Sequence, residues 1–339
     1  MNFLTGKRAG NIVGAALSAL ALAVVVFTAQ QRAAASAYQP STAEKVFLPY
    51  LARAYPPPSP PAADDWLAHL NYYRALAYLP KVAENSDWSN GNWLHSRYTV
   101  KNDLLQHSEN QGNPWYTPEG NAAAQSSNLF GSFNTLENDS TAISWWVSGP
   151  FHAVGLLTPQ LLETGYGSYR EGDGGLMMAA GIDIIRGVGG VPPSVGFPVR
   201  WPGEGTIVHL THYAGEIPDP LTSCPGYTHP AGLPIILQLG TGALTPQVTS
   251  TSLLENGVPV EHCAFDETNY NNPNAGYQNL GRGLLDGRDA VVIVPRLPFA
   301  PGSQYTVSVS AGGSTHTWSF KVAEGAAKIP GDFVNSSQE

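Results

Sequence analysis

Four side chains in the first half of the chain could support acid–base or metal chemistry: His95, His107, Glu119 and His152. Two neutral imidazoles that face each other across a cleft can bind a divalent cation, usually Zn²⁺. A carboxylate beside them can accept a ring N–H or orient a metal-bound water. The ordinary alternative for each histidine is a half-buried ring that hydrogen-bonds a backbone carbonyl.

Sequence motifs of the common enzyme classes are absent. The chain contains no G-x-G-x-x-G, Walker loop, C-x-x-C, H-E-x-x-H or G-x-S-x-G. Any chemistry must therefore come from side chains that the fold brings together from separate elements.

Three helices are expected to position these side chains. Apolar residues recur at helical spacing from Trp66 onwards, after Asp64 or Asp65 as N-cap, and Pro80 ends this helix. A second helix, from Ser89 or Asn90 to about Leu105, carries His95. A third helix begins at Asp139 or Ser140 and stops at Gly149-Pro150, just before His152. The polar residues 108–138 are expected to form a loop.

Residues 64–188 resemble the CAP superfamily of cysteine-rich secretory, antigen 5 and pathogenesis-related 1 proteins. The resemblance rests on five segments in order. These are LNYYRALAYLP (70–80), LHSRYTVKND (94–103), PEGNAA (118–123), AISWWVSGPFH (142–152), and VGLLTPQLLETGYG followed by MMAAGIDI. It implies a CAP α-β-α sandwich with a central cleft.

The resemblance also assigns roles to individual residues. His95 and His152 match the two cavity histidines and are the candidate metal ligands, and Glu119 matches the adjacent glutamate of the family's G-E-N motif. Glu119 is also the candidate general base. His107 resembles a further histidine of bacterial members near the cleft mouth. Relatives with W-V-S-E carry a second glutamate, but Gly149 stands at that position here. Of the adjacent tryptophans 145 and 146, we expect Trp146 to line the cleft.

The C-terminal part is expected to be an Ig-like β-sandwich. Tyr305, Val307 and Val309 alternate with polar residues, and the turn AGGS joins this segment to a second alternating segment, HTWSFKV. PIILQLG (234–240) and AVVIVPR (290–296) predict further strands. The sequence thus predicts an α+β chain with a CAP domain at 64–190, a linker at 191–202, a sandwich at 203–325 and a disordered tail at 326–339.

The first residues predict export. Residues 1–37 combine a basic start, an uncharged apolar run and the small residues Ala35-Ser36-Ala37, as in a secretory signal peptide, the alternative being an uncleaved anchor. Residues 38–63 are proline-rich and predict a stalk. An oxidising compartment favours a disulfide between Cys224 and Cys263 over two unpaired buried thiols.

The net charge argues against nucleic acid or anionic lipid as the main partner. The chain has 17 basic and 26 acidic residues, and three of the basic residues lie in 1–37. The remaining 14 basic and 26 acidic residues give a net charge of −12, which repels nucleic acid and anionic lipid.

From these observations we expect a secreted or surface-held protein whose CAP cleft binds an extracellular ligand. Family behaviour implies a small apolar, lipid or sterol-like ligand, a protein or a glycan, with Zn²⁺ or another divalent cation as an optional cofactor. One alternative is a metal-dependent hydrolase that uses His95, His152 and Glu119. Another is a structural envelope or adhesion protein with a vestigial cleft. The missing second glutamate favours binding over catalysis.

Overall fold

A computed structural model describes residues 60–172 and 174–327 and shows a mixed α+β fold. The predicted signal peptide, residues 38–59 of the predicted stalk and residues 328–339 of the predicted tail lie outside the described residues. Within the described residues, no helix is long and apolar enough to cross a bilayer.

Helices dominate the first part of the described chain. The helices are α1 (Trp66–Leu76), α2 (Ser86–Asn102), α3 (Pro118–Ala124), α4 (Asp139–Ser148), α5 (Pro150–Leu156) and, later in the chain, α6 (Ala275–Asp286). Asp65 caps α1 by accepting the N–H of Ala68 at 2.9 Å, which confirms one of the two predicted caps. Helix α2 begins three residues earlier than predicted because Asn85 caps it.

A three-stranded antiparallel sheet lies between these helices. Its strands are β2 (Ser127–Ser132), β4 (Tyr166–Arg170) and β5 (Met178–Asp183), with β5 in the middle, and a small parallel pair joins β1 (Ala83–Glu84) to β3 (Glu163–Thr164). Gly167 faces α2 so closely that a Cβ would lie 2.1 Å from the backbone nitrogen of Trp93. The preceding residue, Tyr166, stacks on Trp66 of α1 and contacts Trp146 of α4. Since neighbouring strand residues point to opposite faces, helices cover both sides of this sheet.

Two further sheets form the C-terminal part. The strands are β6 (Val199–Trp201), β7 (Ile207–Leu210), β8 (Ile235–Gln238), β9 (Val248–Glu255), β10 (Val258–Pro259), β11 (His262–Phe265), β12 (Ala290–Pro295), β13 (Gln304–Ala311) and β14 (Ser314–Ala327). The five-stranded sheet has the order β10-β9-β13-β14-β7, and the four-stranded sheet has the order β11-β12-β8-β6. The predicted alternation holds in β13, where Tyr305, Val307 and Val309 are buried. The predicted disulfide between Cys224 and Cys263 is present.

The helical part and the C-terminal sheets share one hydrophobic core. Tyr73 of α1 meets Trp201 of β6 edge-on, with ring centroids 5.8 Å apart. Phe151 of α5 meets Tyr270 in the same way at 4.8 Å. Strand β6 lies inside the segment predicted as a linker, 191–202, and pairs with β8. The segment predicted as a linker between two domains therefore contributes a strand and buried side chains to the shared core.

Three helices and a strand were not expected from the sequence. Helix α3 and strand β2 lie in the predicted loop 108–138, α6 lies in the predicted all-β region, and α5 follows the proline expected only to end α4. Proline at the first position of a helix is favourable, because its missing N–H would be unpaired there anyway. Helix α4 ends at Ser148, as Gly149-Pro150 predicted, and Pro118 and Pro150 each also start a helix.

A buried arginine fixes the end of α5. The guanidinium of Arg74 donates to the carbonyl oxygens of Pro80, Leu156, Thr158 and Leu161 at 2.7–3.1 Å. The residue is 1% exposed, and loss of water lowers the pKa of its guanidinium to about 10. Pro80 lies after α1, Leu156 is the last residue of α5, and Thr158 and Leu161 lie after α5. Arg74 therefore joins the segment after α1 to the C-terminal end of α5.

We predict that Arg74→Lys destabilises the protein by about 3 kcal/mol or more. A lysine ammonium has only three N–H donors and lacks the planar shape of the guanidinium, so it leaves at least one of the four buried carbonyls without a partner. Urea denaturation of the variant against wild type measures this difference. Arg296→Lys, at an exposed ion pair with Glu261, is the control and is expected to change stability by less than about 1 kcal/mol. A loss below about 1 kcal/mol for Arg74→Lys would contradict the assignment.

Candidate functional site

His95 is buried and both of its ring nitrogens face oxygen atoms. Nδ1 lies 3.0 Å from Oε1 of Glu109, and Nε2 lies 3.0 Å from the carbonyl oxygen of Gln106. A carbonyl oxygen only accepts, so Nε2 carries a hydrogen, while Nδ1 contacts the Glu109 carboxyl group. Neither ring nitrogen of His95 is therefore left without a protein partner in this arrangement.

The loop that carries Glu109 is held by side-chain amides. Asn121 accepts the backbone N–H of Glu109 at 2.8 Å, and Glu109 in turn accepts the N–H of Thr117 at 2.9 Å. Asn102 accepts the amide of Asn113 at 2.5 Å. Asn102 and Asn121 thus fix the loop that contains His107 and Glu109.

His107 is an exposed residue whose ring is hydrogen-bonded to the protein on one side. Its Nδ1 donates to the carbonyl oxygen of Ala124 at 2.8 Å, and Nε2 has no hydrogen-bond partner among the described residues. The ring is exposed, yet surrounding protein lowers its pKa, and His152 and His95 lower the pKa further through their charges. The His107 ring is therefore solvent-accessible on one side and close enough to the other two imidazoles to be affected by their charge.

His152 is oriented by a carboxylate from the C-terminal half of the chain. Its Nδ1 lies 2.6 Å from Oε2 of Glu216, whose side chain is 1% exposed. Glu216 also accepts the backbone N–H groups of Phe151 and His152, each at 3.0 Å. Since those bonds identify the carboxylate as the acceptor, Nδ1 donates and Nε2 is left facing away from Glu216. The His152 side chain is 20% exposed.

Two residues expected at the cleft lie elsewhere. Glu119 is exposed in the first turn of α3, where its charge complements the helix dipole, and it forms no hydrogen bond with the three histidines in the described part of the chain. Trp146 is 3% exposed, donates to the carbonyl oxygen of Leu129 at 3.0 Å and packs in the core. The carboxylates that touch the histidines are Glu109 and Glu216.

We call this set the histidine cleft: His95, His107 and His152 with Glu109 and Glu216. His107 and His152 share one arrangement, in which Nδ1 is bound to a protein oxygen and Nε2 is left for a ligand. In this arrangement Nε2 can accept a hydrogen bond from a hydroxyl group, act as a general base, or bind a metal ion while Nδ1–H is held by a protein oxygen. No serine or cysteine is hydrogen-bonded to either Nε2 within residues 60–172 and 174–327.

The metal hypothesis for His95 and His152 finds little support in this geometry. Both ring nitrogens of His95 contact protein oxygens, so the imidazoles with a nitrogen left for a cation are those of His107 and His152. No group of three or more histidine, cysteine, aspartate or glutamate side chains that could hold a metal ion occurs among the described residues. Two imidazoles alone are fewer protein ligands than structural or catalytic zinc sites use.

No protein-family model matches the sequence, and no curated protein matches it significantly. The CAP resemblance therefore stays an interpretation of the quoted segments.

Sequence reasoning missed both carboxylates that bind the histidines. Glu109 sits in a polar loop that offers no periodic pattern to mark it as buried. Glu216 lies 64 residues after His152, in the unusual segment THYAGEIPDPLTSCPGY. Nothing in the sequence alone joins that segment to His152.

We predict that His107 titrates with a midpoint below 6.5, the ordinary value for histidine, because desolvation and the neighbouring imidazoles disfavour its charged form. Two-dimensional NMR of the ring resonances against pH measures the midpoint. A midpoint at or above 6.5 would mean that the ring is not enclosed by the cleft.

A stability effect of known sign follows from this lowered pKa. The unfolded chain binds a proton at His107 more readily than the folded protein, so the stability present above pH 6.5 is lost as the pH falls through the lowered folded pKa. Urea denaturation at pH 7 and pH 5 should show a smaller acid loss in His107→Gln than in wild type. Equal losses would contradict this assignment.

Proposed function

We propose that this chain is an exported protein of the CAP type that binds an extracellular ligand in the histidine cleft. The observation that carries the proposal is the shared arrangement of His107 and His152. Each ring is fixed through Nδ1, by Ala124 and Glu216 respectively, and leaves Nε2 for a ligand. Two fixed acceptors in an enclosed but accessible place favour recognition of a hydroxyl-bearing group, as found on sterols and glycans.

The proposal of export draws on the apolar start of the chain and on the disulfide. A bridge between Cys224 and Cys263 fits an oxidising compartment, and the net negative charge fits a partner that is neither nucleic acid nor an anionic membrane. The three-helix order, with His95 on α2 and His152 after α4, supports the CAP interpretation. A divalent cation between His107 and His152 is an optional addition to it.

The second candidate function is a hydrolase. The observation that favours it is the His152–Glu216 pair, in which a buried carboxylate orients an imidazole whose other nitrogen can reach solvent. Such a pair can act as general base on a water molecule. In this hypothesis the carboxylate that orients the catalytic imidazole is Glu216, and Glu119 has no role. Without a hydrogen-bonded serine or cysteine, the nucleophile would be water.

A binding experiment on the full chain distinguishes these functions. Calorimetry is run against cholesterol in neutral phosphatidylcholine vesicles, the same vesicles without sterol, soluble cell-wall glycan fragments and zinc chloride. Wild type is compared with His107→Gln/His152→Gln, and His316→Gln on β14 controls for loss of a histidine away from the cleft. Binding of sterol or glycan that is lost in the double variant and kept in the control supports the proposal.

Two outcomes would contradict ligand binding in the cleft. One is binding that the double variant retains, which would place the ligand elsewhere. The other is no binding of any probe together with turnover of p-nitrophenyl acetate or a peptide substrate that requires His152, which would favour the hydrolase. Absence of both binding and turnover would favour the structural role.

A further inference from the structure

Position 149 has a glycine for reasons of space. A Cβ built on Gly149 would lie 2.5 Å from Oε2 of Glu216 and 2.8 Å from its Cδ. The backbone does not require glycine here, because φ is −97° and ψ is 122°, which any residue adopts. The volume where a side chain of residue 149 would begin is therefore filled by the carboxylate of a residue much later in the chain.

The same carboxylate supplies what the start of α5 lacks. Gly149 is the N-cap residue of α5 and has no side chain to accept the helix's first N–H groups. An N-cap aspartate normally accepts the N–H of the second or third helical residue. In α5 these residues are Phe151 and His152, and Glu216 accepts both of their N–H groups.

One oxygen of Glu216 connects this cap to the cleft. Oε2 accepts the backbone N–H of His152 at 3.0 Å and lies 2.6 Å from Nδ1 of the same residue. The carboxylate thus fixes the backbone and the ring of His152 together. In the neutral ring a nitrogen that donates leaves the other as the acceptor, so Nε2 of neutral His152 carries the lone pair.

The segment that delivers Glu216 is held on both sides. Before it, the N–H of Tyr213 bonds the carbonyl oxygen of Ala231 at 3.0 Å. After it, Asp219 caps a short 3-10 turn, and Cys224 is joined to Cys263 of β11 by the disulfide. The carboxylate is therefore placed by the C-terminal half of the molecule and not by the helices that form the rest of the cleft.

We infer that Glu216 is the positioning residue of His152. Its carboxylate takes the place of the N-cap side chain of α5 that Gly149 lacks. The C-terminal half is then a structural component of the cleft. This inference rests on the proposed function in one respect only, namely that His152 faces the ligand.

The inference predicts that an aspartate at position 149 can replace Glu216. The oxygens of an aspartate lie about 2.4 Å from its own Cβ, close to the 2.5 Å that separates Oε2 of Glu216 from the Cβ position of residue 149. Three variants of the full chain test this: Glu216→Ala, Gly149→Asp, and the double variant. Glu261→Ala, an exposed acid in the same half of the chain, is the control.

The measured quantities are the tautomer of His152, from ¹⁵N NMR of the ring, and Tm. Wild type and the control should show a protonated Nδ1 and a pyridine-type Nε2. Glu216→Ala should lose this tautomer and lower Tm by about 5 °C. The double variant should recover the tautomer and at least half of the lost Tm. Gly149→Asp alone should lower Tm, since two carboxylates would compete for one volume.

Two results would overturn the inference. One is an unchanged His152 tautomer in Glu216→Ala, and the other is a double variant no better than Glu216→Ala in both measurements. If Glu216→Ala does not fold, Glu216→Gln, which keeps the shape but loses the charge, is measured in its place. Neither measurement needs a ligand, so a failure of the ligand screen and a failure of this inference are separate results.

Discussion

The Glu216 carboxylate is the interaction on which the histidine cleft depends. A buried carboxylate is costly unless its oxygens are fully hydrogen-bonded. Glu216 meets this requirement with two backbone N–H groups and the ring of His152, all on α5. The C-terminal part and the helical part cannot separate without leaving this charge unpaired, and the shared apolar core around Phe151 and Tyr270 reinforces the same contact.

Helix α5 is held by opposite charges at its two ends. At its N-terminal end the carboxylate of Glu216 accepts the first N–H groups, and at its C-terminal end the guanidinium of Arg74 donates to Leu156 and Thr158. An anion at the start and a cation at the end are the arrangement that the helix dipole favours. A helix of seven residues is too short to be stable by itself, so these contacts define where it lies and therefore where His152 points.

The sequence predicted the elements with strong periodicity and missed those defined by distant contacts. The cap at Asp65, the alternation in β13 and the Cys224–Cys263 bridge depend on local pattern or on compartment, and the structure contains all three. The short helices α3 and α5 could have been recognised from a proline at their first position. The pairings of His95 with Glu109 and of His152 with Glu216 could not, because nothing in a single sequence records which carboxylate meets which imidazole.

The central claim is that the C-terminal half completes the cleft through Glu216, and amide hydrogen exchange tests it most directly. The second and third N–H groups of a helix have no acceptor within the helix and normally exchange at nearly the unprotected rate. For Phe151 and His152 we predict strong protection at neutral pH in the full chain, because Glu216 is their buried acceptor. Exchange of both amides at the unprotected rate would show that the contact does not form and would contradict the account.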